Sequence, residues 1–105
     1  MAVHRVWFYK GLPGIQSRPA SISQPILEEP YLSTETVDTG SGAAATGAAP
    51  GGTDAIVVRP TAAVYYLVNN PGSTTAASNV NRRLAADSDT ILHVKPGGNV
   101  SFLEV

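Results

Sequence analysis

His4 and His93 are the only imidazoles in this 105-residue chain, and a metal-binding or proton-moving site would have to pair them with Asp54, Asp87 or Asp89. No ligand spacing joins them. Both histidines sit in strand-like stretches, where a structural or solvent-facing ring is expected. Glu28 and Glu29 are adjacent, so an extended chain turns them to opposite sides and spoils them as an acid and base pair. Cysteine is absent, which removes thiolate nucleophiles, disulfides and cysteine metal sites together, and no Gly-x-Ser-x-Gly nucleophile elbow occurs. Gly40, Gly42 and Gly47 in "GSGAAATGAAPGG" lack the preceding apolar strand, the following helix and the lysine that a nucleotide loop requires. "NVS", Asn99 to Ser101, matches a glycosylation sequon with no signal peptide to give it use. Trp7, Tyr65 and Tyr66 could stack on a sugar, but aromatic residues more often fill a small core or an interface. The expectation is a non-enzyme with no catalytic, cofactor-binding or metal residues.

Composition narrows the class of partner. Seven basic and eight acidic side chains leave a formal net charge of −1, and Arg5, Lys10, Arg18, Arg59, Arg82, Arg83 and Lys95 are scattered rather than striped. Nucleic acid is therefore not an expected partner. Charged residues make up only 14% of the chain, about half the usual share, which suits a surface that meets other proteins. "MAVHRVWFYKG" carries an early Arg and Lys and no apolar stretch of signal-peptide length, so synthesis and release in the cytoplasm are expected. The longest apolar run, Ala62 to Val68, falls far short of the roughly 20 residues of a membrane helix.

The elements that must position these residues read as strands. Eight prolines cut the chain into pieces too short for stable amphipathic helices. Val3 to Tyr9, Asp54 to Arg59 and Ala62 to Asn69 are rich in β-branched and aromatic residues, with Pro60 and Thr61 as a corner between the last two. Thr34 to Thr39 is polar enough to require an edge or a solvated face. "NNPGS" places Pro71 and Gly72 at the central positions of a type II turn. "TILHVK", "PGGN" and "VSFLEV" predict a C-terminal hairpin, with Leu92 and Val94 on one side against Ile91, His93 and Lys95, and Val100, Phe102 and Glu104 opposing Leu103 and Val105. Asn81 to Asp89 reads as a helical turn or a crossing loop in which Leu84 alone is buried. Strands apolar on both faces and no helices predict one domain over residues 1–105, an all-β antiparallel sandwich of jelly-roll-like topology.

Two stretches stand outside that body. Residues 10–30 hold four of the eight prolines and read as an extended arm, pinned in φ and short of donors, able to lie along a neighbouring subunit. In the Gly/Ala-rich loop at 40–53, ordering Gly40 to Gly52 costs about 1 kcal/mol per residue, while each of its five alanine methyls returns about 0.8 kcal/mol if buried. Self-burial is predicted to lose, so the segment is expected either to stay mobile or to be held by hydrogen bonds and close packing against another subunit.

From Ile56 onward the order "IVVRPTAAVYYLV", "NNPGSTTAASN" and "RRLAADSDTILHVKPGGNVSFLEV" resembles the small head-decoration, or cement, proteins of tailed bacteriophages. The parts that carry the resemblance are a Thr- and Ala-rich opening, an aromatic strand, a Pro-centred turn followed by "TTAASN", then "RLAADS", then a strand leading into "VKPGGNVSFLEV". The resemblance implies a small β-sandwich on the outside of an icosahedral head that braces neighbouring major capsid subunits and self-associates there. An assembly role of this kind also suits the low charge, the proline-rich arm and the small-residue loop, with many weak contacts multiplied by avidity. The alternative carried alongside is a carbohydrate-binding or tail- or fibre-associated virion sandwich.

Overall fold

The computed structural model describes residues 3–11 and 27–105. Eight strands run in the order β1 (Val3–Gly11), β2 (Leu27–Asp38), β3 (Ala44–Ala45), β4 (Ala55–Arg59), β5 (Val64–Asn69), β6 (Arg82–Leu84), β7 (Thr90–His93) and β8 (Asn99–Glu104), and the described residues contain no helix. They form two four-stranded sheets, a front sheet β2-β1-β4-β7 and a back sheet β3-β8-β5-β6, with every neighbouring pair antiparallel. The all-β two-sheet expectation holds.

Period-two alternation decides which side chains meet between the sheets. On β1, Val6 and Phe8 point inward with His4, and Arg5, Trp7 and Tyr9 point outward. Val6, Phe8, Val37, Ile56, Val58 and Leu92 from the front sheet, with Val94 just after β7, pack on Val64, Leu84, Val100 and Phe102 from the back sheet. Full burial of such a side chain contributes about 1.5–3 kcal/mol before chain entropy is counted. Residues 34–38 of the polar stretch lie in β2, at an edge of the front sheet as expected, and Thr39 follows the strand end. Between Phe8↔Ser33 and Lys10↔Glu28 the register slips, so that residues 29–32 of β2 bulge out opposite Tyr9, with Pro30 where no ladder donor is needed.

Proline and glycine corners carry the chain from one sheet to the other. Arg59 ends β4 in the front sheet, Val64 begins β5 in the back sheet, and buried Pro60 lies at the bend. Gly72, at φ 87°, takes the third position of the predicted turn, closed by the Ser73 N–H donating to the Asn70 carbonyl at 3.0 Å. The helical turn or crossing loop expected over Asn81 to Asp89 is corrected, because Arg82–Leu84 is a strand laddered to β5, and Leu84 is buried as expected.

The predicted C-terminal hairpin is corrected. β7 pairs with β4 in the front sheet and β8 lies between β3 and β5 in the back sheet, so the two strands face each other across the core instead of sharing a ladder. The physical reason is at Gly98, where a side chain could not fit: a Cβ there would stand 2.6 Å from the Asn69 carbonyl oxygen. Gly97, at φ 83°, and the Gly98 N–H bonded to the Lys95 carbonyl fold the connection into a tight inter-sheet corner. The face assignments survive, because the inward residues Leu92, Val94, Val100 and Phe102 are the buried ones.

The two outlying stretches also change. Lys10 and Gly11 close β1, residues 27–30 open β2, and Gly11 is in register with Leu27, so both ends of the expected arm are paired strand; residues 12–26 lie outside the described residues. The Gly/Ala-rich loop is held by its own chain. β3 adds to the edge of the back sheet beside β8, the Thr46 N–H donates to the Val100 carbonyl at 3.0 Å, the Ala49 N–H to the Gly98 carbonyl at 2.8 Å, and the Gly97 N–H to the Ala49 carbonyl at 2.9 Å. Thr46, Ala49 and Thr53 are buried. Counting alanine methyls alone left out these backbone bonds, each worth about 0.5–1.5 kcal/mol net.

Candidate functional site

The fold separates the residues that a metal or proton-transfer site would need. His4 begins β1 and faces the core, whereas His93 ends β7 on the exposed side, in the row of Ala55 and Tyr9. Five strand positions, roughly 17 Å, divide those ends along β1. Asp54 accepts the Gly11 N–H at 2.9 Å, Asp87 occupies a left-handed turn position at φ 60°, and Asp89 pairs with Arg59 at 2.8 Å. Among the described residues no three His, Cys, Asp or Glu side chains gather as a metal site. Glu28 pairs with Lys10 in the register, and Glu29 enters the bulge. The Asn99 side chain donates to the Ser73 carbonyl and accepts from Asn69 Nδ2, both at 2.9 Å.

His4 has a structural assignment. Its Nδ1 accepts the Thr61 N–H at 3.2 Å, so Nε2 carries the proton and donates to Thr39 Oγ1 at 2.8 Å, and that hydroxyl donates to Glu104 Oε1 at 3.3 Å. Burial holds the ring below the ordinary histidine value of 6.5, against the upward pull of the Glu104 and Asp38 carboxylates. Neutral His4 thereby clasps β1, the end of β2, the β4–β5 corner and β8.

The three aromatic residues considered for a sugar platform lie on three different surfaces. Tyr66 packs against the core, its neighbour Tyr65 points out of the back sheet under the Arg83 guanidinium at 5.9 Å, and Trp7 is on the outer side of the front sheet. They make no common platform.

One apolar surface is assembled by strand pairing. Across the outer side of the front sheet, the row Thr34–Trp7–Val57–Ile91 lies beside the row Thr36–Arg5–Arg59. Trp7, Val57, Ile91 and Tyr9 are half-buried, Val3 and Tyr31 are exposed, and Tyr31 meets Tyr9 edge to face at 6.2 Å. Val3, Arg5, Trp7, Thr36, Arg59 and Thr61 line a shallow groove of about 310 Å³ on this side. The outer side of the back sheet differs, because residues 73–77 are stitched over it: Asn69 Nδ2 donates to the Thr75 carbonyl at 2.9 Å, and the Ala77 N–H donates to Ser101 Oγ at 2.9 Å, leaving Ser101 only 2% exposed. No such stitching crosses the front sheet among the described residues.

The sequence places Trp7 in the strand from Val3 to Tyr9 but does not show that Arg5 stands opposite Arg59. The alternation His4-Val6-Phe8 against Arg5-Trp7-Tyr9 was the available signal for an outward aromatic and cationic row. The cross-strand partners depended on a register that no local pattern specifies. Comparison with protein-family models, curated proteins and solved structures yields no match to the chain.

Proposed function

We propose that this chain is a virion structural protein, a decoration or cement protein that binds the outside of a tailed-phage head and stabilises contacts between major capsid subunits. The observation that carries the reading is the outer face of the front sheet. A body this small leaves Trp7, Tyr9, Tyr31, Val57 and Ile91 together on one side, while residues 73–77 of its own chain cover part of the opposite face at Asn69 and Ser101. Contiguous apolar surface of this kind marks a protein interaction site. The sandwich acts as a rigid plate, and adhesion is its chemistry.

The strand order supports a jelly-roll reading of the fold, an architecture common in capsid proteins. β2, β3, β4 and β5 pair in turn with β1, β8, β7 and β6, as one antiparallel ribbon wrapped across two sheets. Here the ribbon is joined through β1 and β2, while β8 and β1 meet only in space, where the Phe102 and His4 rings lie 6.0 Å apart. The phage resemblance of residues 56–105 supplies the location: the capsid exterior, with the major capsid protein as partner and further copies of the chain beside it. Copurification of the protein with intact heads, at a fixed ratio to the main shell subunit through a density gradient, tests this function. Its absence from washed particles would reject it.

A further inference from the structure

Arg5 and Arg59 stand directly opposite each other on β1 and β4. Like charges in that position oppose each other across the ladder, and an ordinary sheet surface avoids the pairing. Asp89 answers Arg59 through a 2.8 Å contact to its Nε, but the pair is half-exposed at 55% and 54% and contributes little. Arg5 has no ion-pair partner among the described residues, and Thr36, its other cross-strand neighbour, brings no charge. Both arginines line the same groove as Trp7 and Val3. The groove therefore joins the uncompensated guanidinium of Arg5 to an apolar aromatic surface, and Trp and Arg are among the residues that most often dominate protein interfaces.

Resting on the decoration reading above, we propose that this groove is the point of attachment and that it receives a segment of a neighbouring shell subunit carrying an apolar side chain next to a carboxylate. Arg5 grips the carboxylate through its planar pair of N–H donors, the apolar side chain lies against Trp7 and Val3, and the bound anion relieves the Arg5–Arg59 repulsion. Charge complementarity selects an acidic partner over a neutral one.

Two opposite effects of Arg5→Glu distinguish this role from a merely structural one. In the free protein the new carboxylate faces Arg59, so the melting temperature rises by roughly 1–4 °C. Toward heads assembled without this protein, the same variant binds about tenfold or more weakly in a sedimentation titration, Trp7→Ala also loses affinity, and Arg83→Glu on the opposite face binds as the unaltered chain does. Equal affinity of Arg5→Glu and the unaltered chain would overturn the groove while leaving the decoration function standing. Failure of the unaltered chain to bind heads would overturn that function itself. Self-association in solution that Arg5→Glu abolishes would replace the shell segment with a second copy of this chain and overturn the proposal.

Discussion

The imidazole of His4 lies 2.8 Å from the hydroxyl of Thr39, and the contact locks the start of β1 to the end of β2 inside a fully buried site. Because Nδ1 is occupied as an acceptor by the Thr61 N–H, the neutral ring satisfies both neighbours and the protonated ring cannot.

That geometry sets a pH dependence. The folded pKa lies below the unfolded value of 6.5, so the unfolded chain binds the proton more readily. The contribution of His4 to stability is complete above pH 6.5 and is lost as pH falls from there through the lowered folded value. Chemical denaturation of the unaltered chain and of His4→Gln, measured between pH 5 and pH 8, is expected to give a difference that shrinks toward acid. Parallel stability curves would contradict the buried neutral ring.

Two glycines differ only in the space around them. An alanine at Gly98 would drive its Cβ to 2.6 Å from the Asn69 carbonyl, and backbone must shift to accept it. Gly98→Ala is expected to lower unfolding free energy by about 2 kcal/mol or more. Gly51 has open space and no positive φ, and Gly51→Ala is expected to lie within about 0.5–1 kcal/mol of the unaltered chain, on the stabilising side. Urea midpoints with unchanged slopes measure both.

The small-residue segment is latched to the back sheet, and its amides should report this in the isolated protein. Thr46, Ala49 and Gly97 donate to carbonyls of that latch, whereas the Ala43 and Ala48 amides have no backbone acceptor among the described residues. Slow hydrogen exchange at the first three, with fast exchange at the latter two, is the expected pattern. Thr46→Val removes the Oγ1 that accepts the Val100 N–H at 3.1 Å, and is expected to cost about 1–3 kcal/mol. Uniform fast exchange from 40 to 53 would show that the segment is not held by its own chain.

Much of the fold was legible because its signals are local. Val6 and Phe8 alternate with Arg5 and Trp7, Pro71-Gly72 dictates a turn type, and eight prolines rule against helices. What was not legible is long-range. A Pro-Gly-Gly connection marks a reversal, yet it does not say whether the strands it joins will bond side by side or pack face to face; Gly98 against Asn69 decides that here. Small alanines predict weak burial, but the backbone partners of Thr46 and Ala49 come from β8 and its approach, about fifty positions along the chain. The Arg5–Arg59 pairing depends on register between distant strands, so the surface that the functional reading uses emerges only from the assembled sheet.

The most direct test is hydroxyl-radical footprinting of the protein free and on heads, read by mass spectrometry at aromatic side chains of the two opposite faces. Trp7, the chain's single tryptophan, and exposed Tyr31 should lose labelling on the particle, while Tyr65 on the back sheet keeps it. Protection of Tyr65 with Trp7 and Tyr31 labelled as in the free protein would contradict the assignment of the front face as the surface that holds the shell.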